Sequence, residues 1–395
     1  VEVPWEEHDW RDLAPALREA RLRRYLASDA SAPFEPSRSP LVRFALFRMG
    51  EAEYHLVWTS HHALLDAHAP RLLLREAFDE YVALREGRSW QAPPRRTFRD
   101  HVAWLRARDG REAAGFWRDT LGGYASPAEL SLGAEGAGWH THRVELPEAR
   151  TAALEALARR EGTSLNGVLQ AAWALVLARY TGSGDVVFGA MRECRRGGLP
   201  GAEGIVGLLA PTVPVRLRVD DGADAASLLR QARELWVRMR PHEHAPLSAI
   251  REGSDVPPHL PLFETLLSFE RESLQEALHA LGGGWVRRRF ELRQRPGFPL
   301  TVAAHGGRRM GLRLTYDGGR FGPEAVRRLG AHLASALRAF AEDPSRPLGE
   351  VELLEPLERR QVLEAWNRTE RAYAPEATLH GLIAAQAERT PDAVA

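Results

Sequence analysis

Leu56-Val57-Trp58-Thr59-Ser60-His61-His62-Ala63-Leu64-Leu65-Asp66-Ala67 is the stretch that decides how this chain is read. An apolar run ends abruptly in two adjacent histidines, and a carboxylate follows four residues after the second. Residues 54–60 read as a strand, because aromatic and β-branched side chains suit a pleated, half-buried surface. Residues 41–47 form a similar run, and Gly50-Glu51-Ala52-Glu53 between the two supplies a turn, so the pair reads as an antiparallel hairpin. Beyond Pro70, residues 71–84 carry apolar side chains at Leu74, Phe78, Tyr81 and Leu84, the spacing of one helix face, with Gly87 placed as a stop. The unit is strand, histidine turn, helix. Titratable groups at the end of a buried-looking segment mark it as the candidate active centre.

Upstream, residues 9–27 have leucines at 13, 17, 22 and 26 and read as an amphipathic helix, followed by a Pro/Ser-rich connector over 31–40. Downstream, residues 89–96 with Pro93-Pro94 read as a linker. Helices are expected at 98–108, 111–121, 147–160, 165–180, 224–240 and 324–341. Strands are expected at 141–146, 185–189, 212–219, 262–270, 287–292, 300–304 and 311–316. Strands and helices mix in both halves without an internal repeat, which predicts an α/β architecture of two lobes. The expected divisions are residues 1–93, 94–365 and a compositionally distinct tail, 366–395. In that tail Asn367 to Pro375 is a linker and Thr378-Leu379-His380 opens a further helix.

Composition narrows the function. The 53 basic and 53 acidic residues balance, leaving no field to attract nucleic acid or an anionic membrane. Every basic residue other than histidine is arginine, which we read as a coding bias. The lone Cys194 excludes an internal disulfide framework and a cysteine-based zinc site, and the histidines show no H-E-x-x-H spacing. Neither a membrane-length apolar run nor a signal peptide is present, so a cytoplasmic location is expected. Val1-Glu2-Val3-Pro4-Trp5 reads as the inside or exit of a strand, and no initiator methionine precedes it, so the chain is expected to be part of something larger.

His61-His62-Ala63-Leu64-Leu65-Asp66 resembles the H-H-x-x-x-D motif of condensation domains of nonribosomal peptide synthetases and of the related chloramphenicol-acetyltransferase-like acyltransferases. Further segments resemble that family in its own order. They are residues 3–10, Phe98-Arg99-Asp100-His101 through Trp104, Asp185-Val186-Val187-Phe188-Gly189 through Arg195, Val206-Gly207 through Arg216, residues 260–264 and residues 314–317. Trp366-Asn367 and Leu379-His380 through Ala393 resemble the linker and first helix of an adenylation domain, which also separates the chain from epimerisation domains. Three positions depart from the family pattern: Ala67 and Cys194 stand where it has glycine, and Pro211 where it has asparagine.

The resemblance implies two chloramphenicol-acetyltransferase-like lobes in a V-shaped pseudo-dimer, with the N-terminal lobe incomplete. It implies amide-bond formation between a donor acyl or peptidyl thioester and an acceptor aminoacyl thioester. Both would be delivered on 4′-phosphopantetheine arms of upstream and downstream peptidyl carrier proteins, with an adenylation domain adjacent and no cofactor bound directly. It assigns the chemistry to His62, groups His61 and Asp66 with it, and pairs Asp66 with Arg195 in a buried bidentate contact. An imidazole, with an ordinary pKa of ~6.5, can accept a proton or donate a hydrogen bond near neutrality.

The bland readings stand beside these. The histidine pair could be scaffold, and Asp66–Arg195 a structural salt bridge. Adjacent histidines on a strand point to opposite faces and poorly share a metal. Trp104, Trp117 and Trp173 read as core; Arg287-Arg288-Arg289 reads as a solvated strand edge in preference to a carrier-docking patch; and arginines beside Cys194 could lower its pKa. A catalytically inactive platform that recruits partner proteins, or an acyltransferase using coenzyme A, are the alternative functions. Heterocyclisation is disfavoured because that variant replaces the first histidines with aspartates.

Overall fold

The structure is a computed structural model that describes residues 2–127, 129–130, 132–195, 198–270, 272–293, 297–370, 372 and 377–392. Two separate sheets organise it: three strands in the order β1-β2-β3, and six in the order β4-β9-β8-β7-β5-β6.

The small sheet holds the histidine stretch. β2 (Val42–Arg48) and β3 (Tyr54–Ser60) form the expected hairpin, with Val42 opposite Ser60 and Arg48 opposite Tyr54. β1 (Trp5–Asp9) adds to β2 in parallel. Period-2 alternation sends Ala45, Phe47 and Val57 toward α1 (Pro15–Ser31), where they pack with Trp10, Leu22 and Tyr25. The chain then turns through the histidines into α2 (Ala69–Arg85), with Gly87 in the left-handed conformation just past its end.

α3 (Phe98–Arg106) and α4 (Gly110–Leu121) follow, the first opened by a reciprocal Thr97/Asp100 capping box and the second by Asp109. β4 (Trp139–Glu145), α5 (Glu148–Arg160), α6 (Leu165–Thr181), β5 (Asp185–Met191), β6 (Thr212–Arg218) and α7 (Ala225–Met239) come next. After the short α8 (Leu247–Arg251) come β7 (Thr265–Glu270), α9 (Leu274–His279), β8 (Leu300–His305), β9 (Gly311–Asp317) and the long α10 (Pro323–Glu342).

α6 is the core of this larger unit. Every residue from Val168 through Ala178 is buried, and α5, α7, α10 and β5 pack around it. A helix apolar on all sides can only be an interior helix. Its ends are set locally: Ser164 accepts from the Gly167 N–H, and Gly182 takes the left-handed conformation that closes the last turn. Trp117 and Trp173 are fully buried as expected, whereas Trp104 is half-exposed and stacks on His101 beneath Arg108.

Several expectations change. Residues 287–292 form no strand. Gly283–Arg287 is a tight 3-10 turn, and Arg288 lies over the rings of Phe78 and Trp285, 4.1 and 5.6 Å from their centres, so it is not part of a solvated strand edge. Arg288 there serves a stack against Phe78 of α2, not a ladder. α8 and α9 were not expected, although Ser273 and Glu276 form a capping box that opens the second. α11 (Pro356–Arg360) forms just before the tail and α12 (Leu379–Arg389) within it, Thr378 caps the latter, and neither buries a residue. Arg371, residues 373–376 and residues 393–395, part of the expected linker and adenylation-like segment, lie outside the described residues. None of the described helices is long and apolar enough to cross a membrane.

Leu175 lies on α6 with no exposure. Leu175→Ala is expected to cost about 2–5 kcal/mol, read as a lower urea midpoint at unchanged slope.

Candidate active site

β3 ends at Ser60, and the backbone hydrogen bond from the His61 N–H to the Leu41 carbonyl (2.9 Å) is the last tie to the hairpin. The histidines therefore sit in the turn beyond the strand. His61 is committed to the turn: its Nδ1 accepts from the Ala63 N–H at 3.1 Å, and the ring meets Phe34 edge-on at 6.4 Å. His62 is exposed and makes no hydrogen bond, ion pair or ring contact with any described residue. The two neighbours thus have opposite situations: one ring braces the backbone and the other is free.

Asp66 is 4% exposed and its carboxylate is fully used. Oδ1 accepts from the His68 and Ala69 N–H groups, both at 3.1 Å, which caps the start of α2. Oδ2 accepts from the Leu209 N–H at 2.9 Å. Both oxygens accept from Arg195 Nη2 at 2.7 Å. The Asp66 N–H also reaches the Gly207 carbonyl, at 3.4 Å. No contact joins Asp66 to His62.

Arg195, 2% exposed, is the counterpart. Its contact with Asp66 is not the expected fork of two parallel bonds, because one nitrogen serves both oxygens. The reason is competition for donors. Nη1 donates to the Ala202 and Ile205 carbonyls at 3.1 and 2.6 Å, and Nη2 also donates to the Gly207 carbonyl at 3.1 Å. Nε is buried without a partner. The guanidinium therefore folds the segment 202–209 around itself, and that segment's own apolar cluster of Ala202, Ile205 and Leu209 closes over it. Gly207 is required by close approach: a Cβ there would lie 2.3 Å from the Phe98 ring.

The motif matches did not single out His68 or His101 as parts of this arrangement. His68 Nε2 bonds the Glu203 carbonyl at 3.0 Å, and His101 is buried on α3. Burial first, and the Arg195 cation second, hold both imidazoles below the ordinary histidine value.

Two of the departing positions also resolve. Among the described residues no non-glycine has positive φ, so the turn closes at Ala67 without needing glycine. Burial first, then Glu243, push the Cys194 thiol up, outweighing the lowering by Arg192. Among the described residues no cluster of ligating side chains could hold a metal ion.

A two-sheet α/β fold thus carries a histidine turn locked to a distant arginine loop. The chain matches the condensation-domain family over residues 1–363 and belongs to it, among the amide-bond-forming acyltransferases of nonribosomal peptide synthesis. One polypeptide of the linear gramicidin synthase of Brevibacillus parabrevis is 34% identical over 401 residues, covering 99% of this chain and 5% of that protein. The chain thus spans a small fraction of the curated relative it matches. Among solved structures, a four-domain nonribosomal peptide synthetase bound to AMP and glycine superposes with a TM-score of 0.75 at 18% identity, covering 100% of this chain and 31% of that one. The X-domain from teicoplanin biosynthesis gives 0.73 at 22% identity, covering 90% of this chain and 82% of that one.

Arg195→Ala strands a buried carboxylate and is expected to cost about 3–5 kcal/mol, measured by urea unfolding. For pH, the unfolded chain binds protons on His68 and His101 near ~6.5, before the folded chain does. Stability is therefore full above that pH and falls as the pH drops below it. The urea midpoint should be lower at pH 5.5 than at 7.5, and His101→Gln should narrow the difference.

Proposed function

We propose that this chain joins an acceptor amine to a donor thioester, each carried on the phosphopantetheine arm of a carrier protein, and that His62 is the side chain that meets the amine. The observation that carries this reading is the division of labour in the turn. His61 is tied to the turn through Nδ1 and Asp66 is fully engaged by the fold, while His62 stands exposed and unpartnered.

The chemistry asks little else of the protein. The amine nitrogen attacks the thioester carbonyl, the C–N bond forms, the C–S bond breaks, the thiol leaves with the donor's carrier, and the nitrogen loses a proton. An imidazole beside the nitrogen can accept that proton or orient the lone pair by hydrogen bonding; either requires the ring within about 2.6–3.2 Å of the nitrogen. Holding both arms against one another supplies the larger part of the rate, because it converts a two-body encounter into a local one. Asp66 acts through the backbone: its carboxylate fixes the start of α2 and joins it to the loop around Arg195. His61 shapes the turn.

We assign an upstream donor carrier, a downstream acceptor carrier and an adjoining adenylation domain as partners, with residues 366–395 as the connection to the last. Leu379, Leu382 and Ile383 are exposed along α12, as expected of a helix whose apolar face awaits a neighbour. The first lobe is read as residues 1–93 and the second as 94–365. Trp5 and Tyr54 on the two outer strands of the small sheet, half-exposed, support further strands joining that sheet.

His62→Ala, in the whole synthetase, should lower dipeptide formation between loaded carriers by at least about 100-fold while the melting temperature stays unchanged. Undiminished transfer by that variant would refute the assignment. A well-folded wild-type chain that forms no amide bond at all would point to the platform reading.

A further inference from the structure

His62 touches nothing that could aim it, so its position is inherited entirely from the backbone of the turn. One end of that turn is fixed by Asp66. The other end leaves the sheet at Ser60, and what fixes it lies on the α1 side of the hairpin. Arg43 and Thr59 face one another across β2 and β3, and Thr59 is the last residue on that face before the histidines. Asp29, in the final turn of α1, receives both. Thr59 Oγ1 donates to Asp29 Oδ2 at 2.5 Å, and Arg43 Nε donates to Oδ1 at 2.5 Å. The two charged side chains are 10% and 21% exposed.

An acidic residue in a last helical turn is misplaced electrostatically, since the C-terminal end carries partial negative charge and no basic residue of α1 offsets it there. Arg43 offsets it from the sheet. Besides the carboxylate, its Nη2 donates to the Asp29 and Ala32 carbonyls at the helix end, at 2.6 and 3.1 Å; the Asp29 carbonyl also accepts from the Ala32 N–H at 3.1 Å. The same guanidinium lies over the Phe34 ring at 4.4 Å, and Phe34 is the ring that His61 meets edge-on. A continuous set of contacts thus runs from Asp29 through Arg43 and Phe34 to the histidine that shapes the turn, and directly through Thr59 to the strand that enters it.

We propose that Asp29 is a positioning residue for amide-bond formation. By clamping Arg43 and Thr59 to the end of α1, it fixes the entry to the His61–His62 turn, as Asp66 and Arg195 fix its exit. This rests on the role given to His62. Nothing in the sequence motif includes Asp29, Arg43 or Thr59.

The test uses the whole synthetase with Asp29→Ala, Thr59→Val and Thr59→Ser. Two readouts are needed. The first is amide hydrogen exchange at Ala63 and Leu64, whose N–H groups bond within the turn; it does not depend on activity. Asp29→Ala and Thr59→Val should speed exchange there while leaving the strands of the large sheet protected as in the wild type. The second is single-turnover dipeptide formation with loaded carriers. The maximal rate should fall about 10- to 100-fold, since a misplacement of about 1 Å can cost that much, with carrier concentration for half-maximal rate unchanged. Thr59→Ser, which keeps the hydroxyl, should restore both. Wild-type exchange at the turn in Asp29→Ala and Thr59→Val, or a uniform rise across the chain, would overturn the proposal. Local loosening of the turn together with an inactive wild type would overturn the role of His62 and leave the clamp standing. If Asp29→Ala fails to fold, the Thr59 pair alone decides.

Discussion

The buried contact between Asp66 and Arg195 is the constraint on which the rest of the site depends. Two charges withdrawn from water are expensive, and their mutual attraction offsets that cost only when the remaining donors and acceptors are also satisfied. Here almost all are. Three backbone N–H groups and the guanidinium surround the carboxylate, while three backbone carbonyls share the guanidinium. The consequence is a joint between residues 129 positions apart, made largely of backbone. Backbone donors and acceptors cannot swing to alternative rotamers, so the joint fixes position as well as proximity.

Such a joint is useful only if both sides are rigid. On one side, the loop that surrounds Arg195 springs from β5 and returns into β6, strands of the sheet that packs on the buried helix α6. On the other side stands the short hairpin, which has a much smaller core of Ala45, Phe47 and Met49. A three-stranded sheet with so little apolar cover depends on polar ties to hold its register at the ends, and the histidine turn leaves from such an end. The exposed ring therefore takes its precision from a well-packed unit through Arg195 and from a sparsely packed one through contacts at the end of α1.

Much of this was legible in the sequence where local chemistry and hydrophobic period agreed. The hairpin was found within a residue of its observed strands, because Gly50 interrupts two β-favouring runs. The helix expected at 165–180 matches α6, whose apolar stretch begins at the Ser164 cap. The strand expected at 287–292 does not form because Arg288 stacks on Phe78 of the distant α2 and on the nearby Trp285, a contact that no local pattern encodes. The pairing of Asp66 with Arg195 came from the family resemblance, but its geometry did not: the carbonyls that draw Nη1 away are backbone groups with no signature in side-chain identity. The resemblance sets His62 apart from His61, but the contacts that distinguish two identical neighbours come only from what the fold brings against them. α9 could have been found, as Ser273 and Glu276 spell a capping box, but six residues carry too little period to read.

The uniform burial of α6 has a consequence for how the large unit finds a single packing. A helix with an apolar stripe knows which way to face; a cylinder of alanine, leucine and valine does not, and many rotations about its axis bury similar area. Shape alone must discriminate among them, unless a polar contact is spoiled by turning. Trp173 supplies one: its indole N–H reaches the hydroxyl of Thr265 on β7 at 3.4 Å within the interior. Rotating or sliding the helix by one residue would leave that donor facing carbon, at a cost of about 1–3 kcal/mol. The contact is modest as a source of stability, yet it distinguishes one apolar face of the helix from the rest.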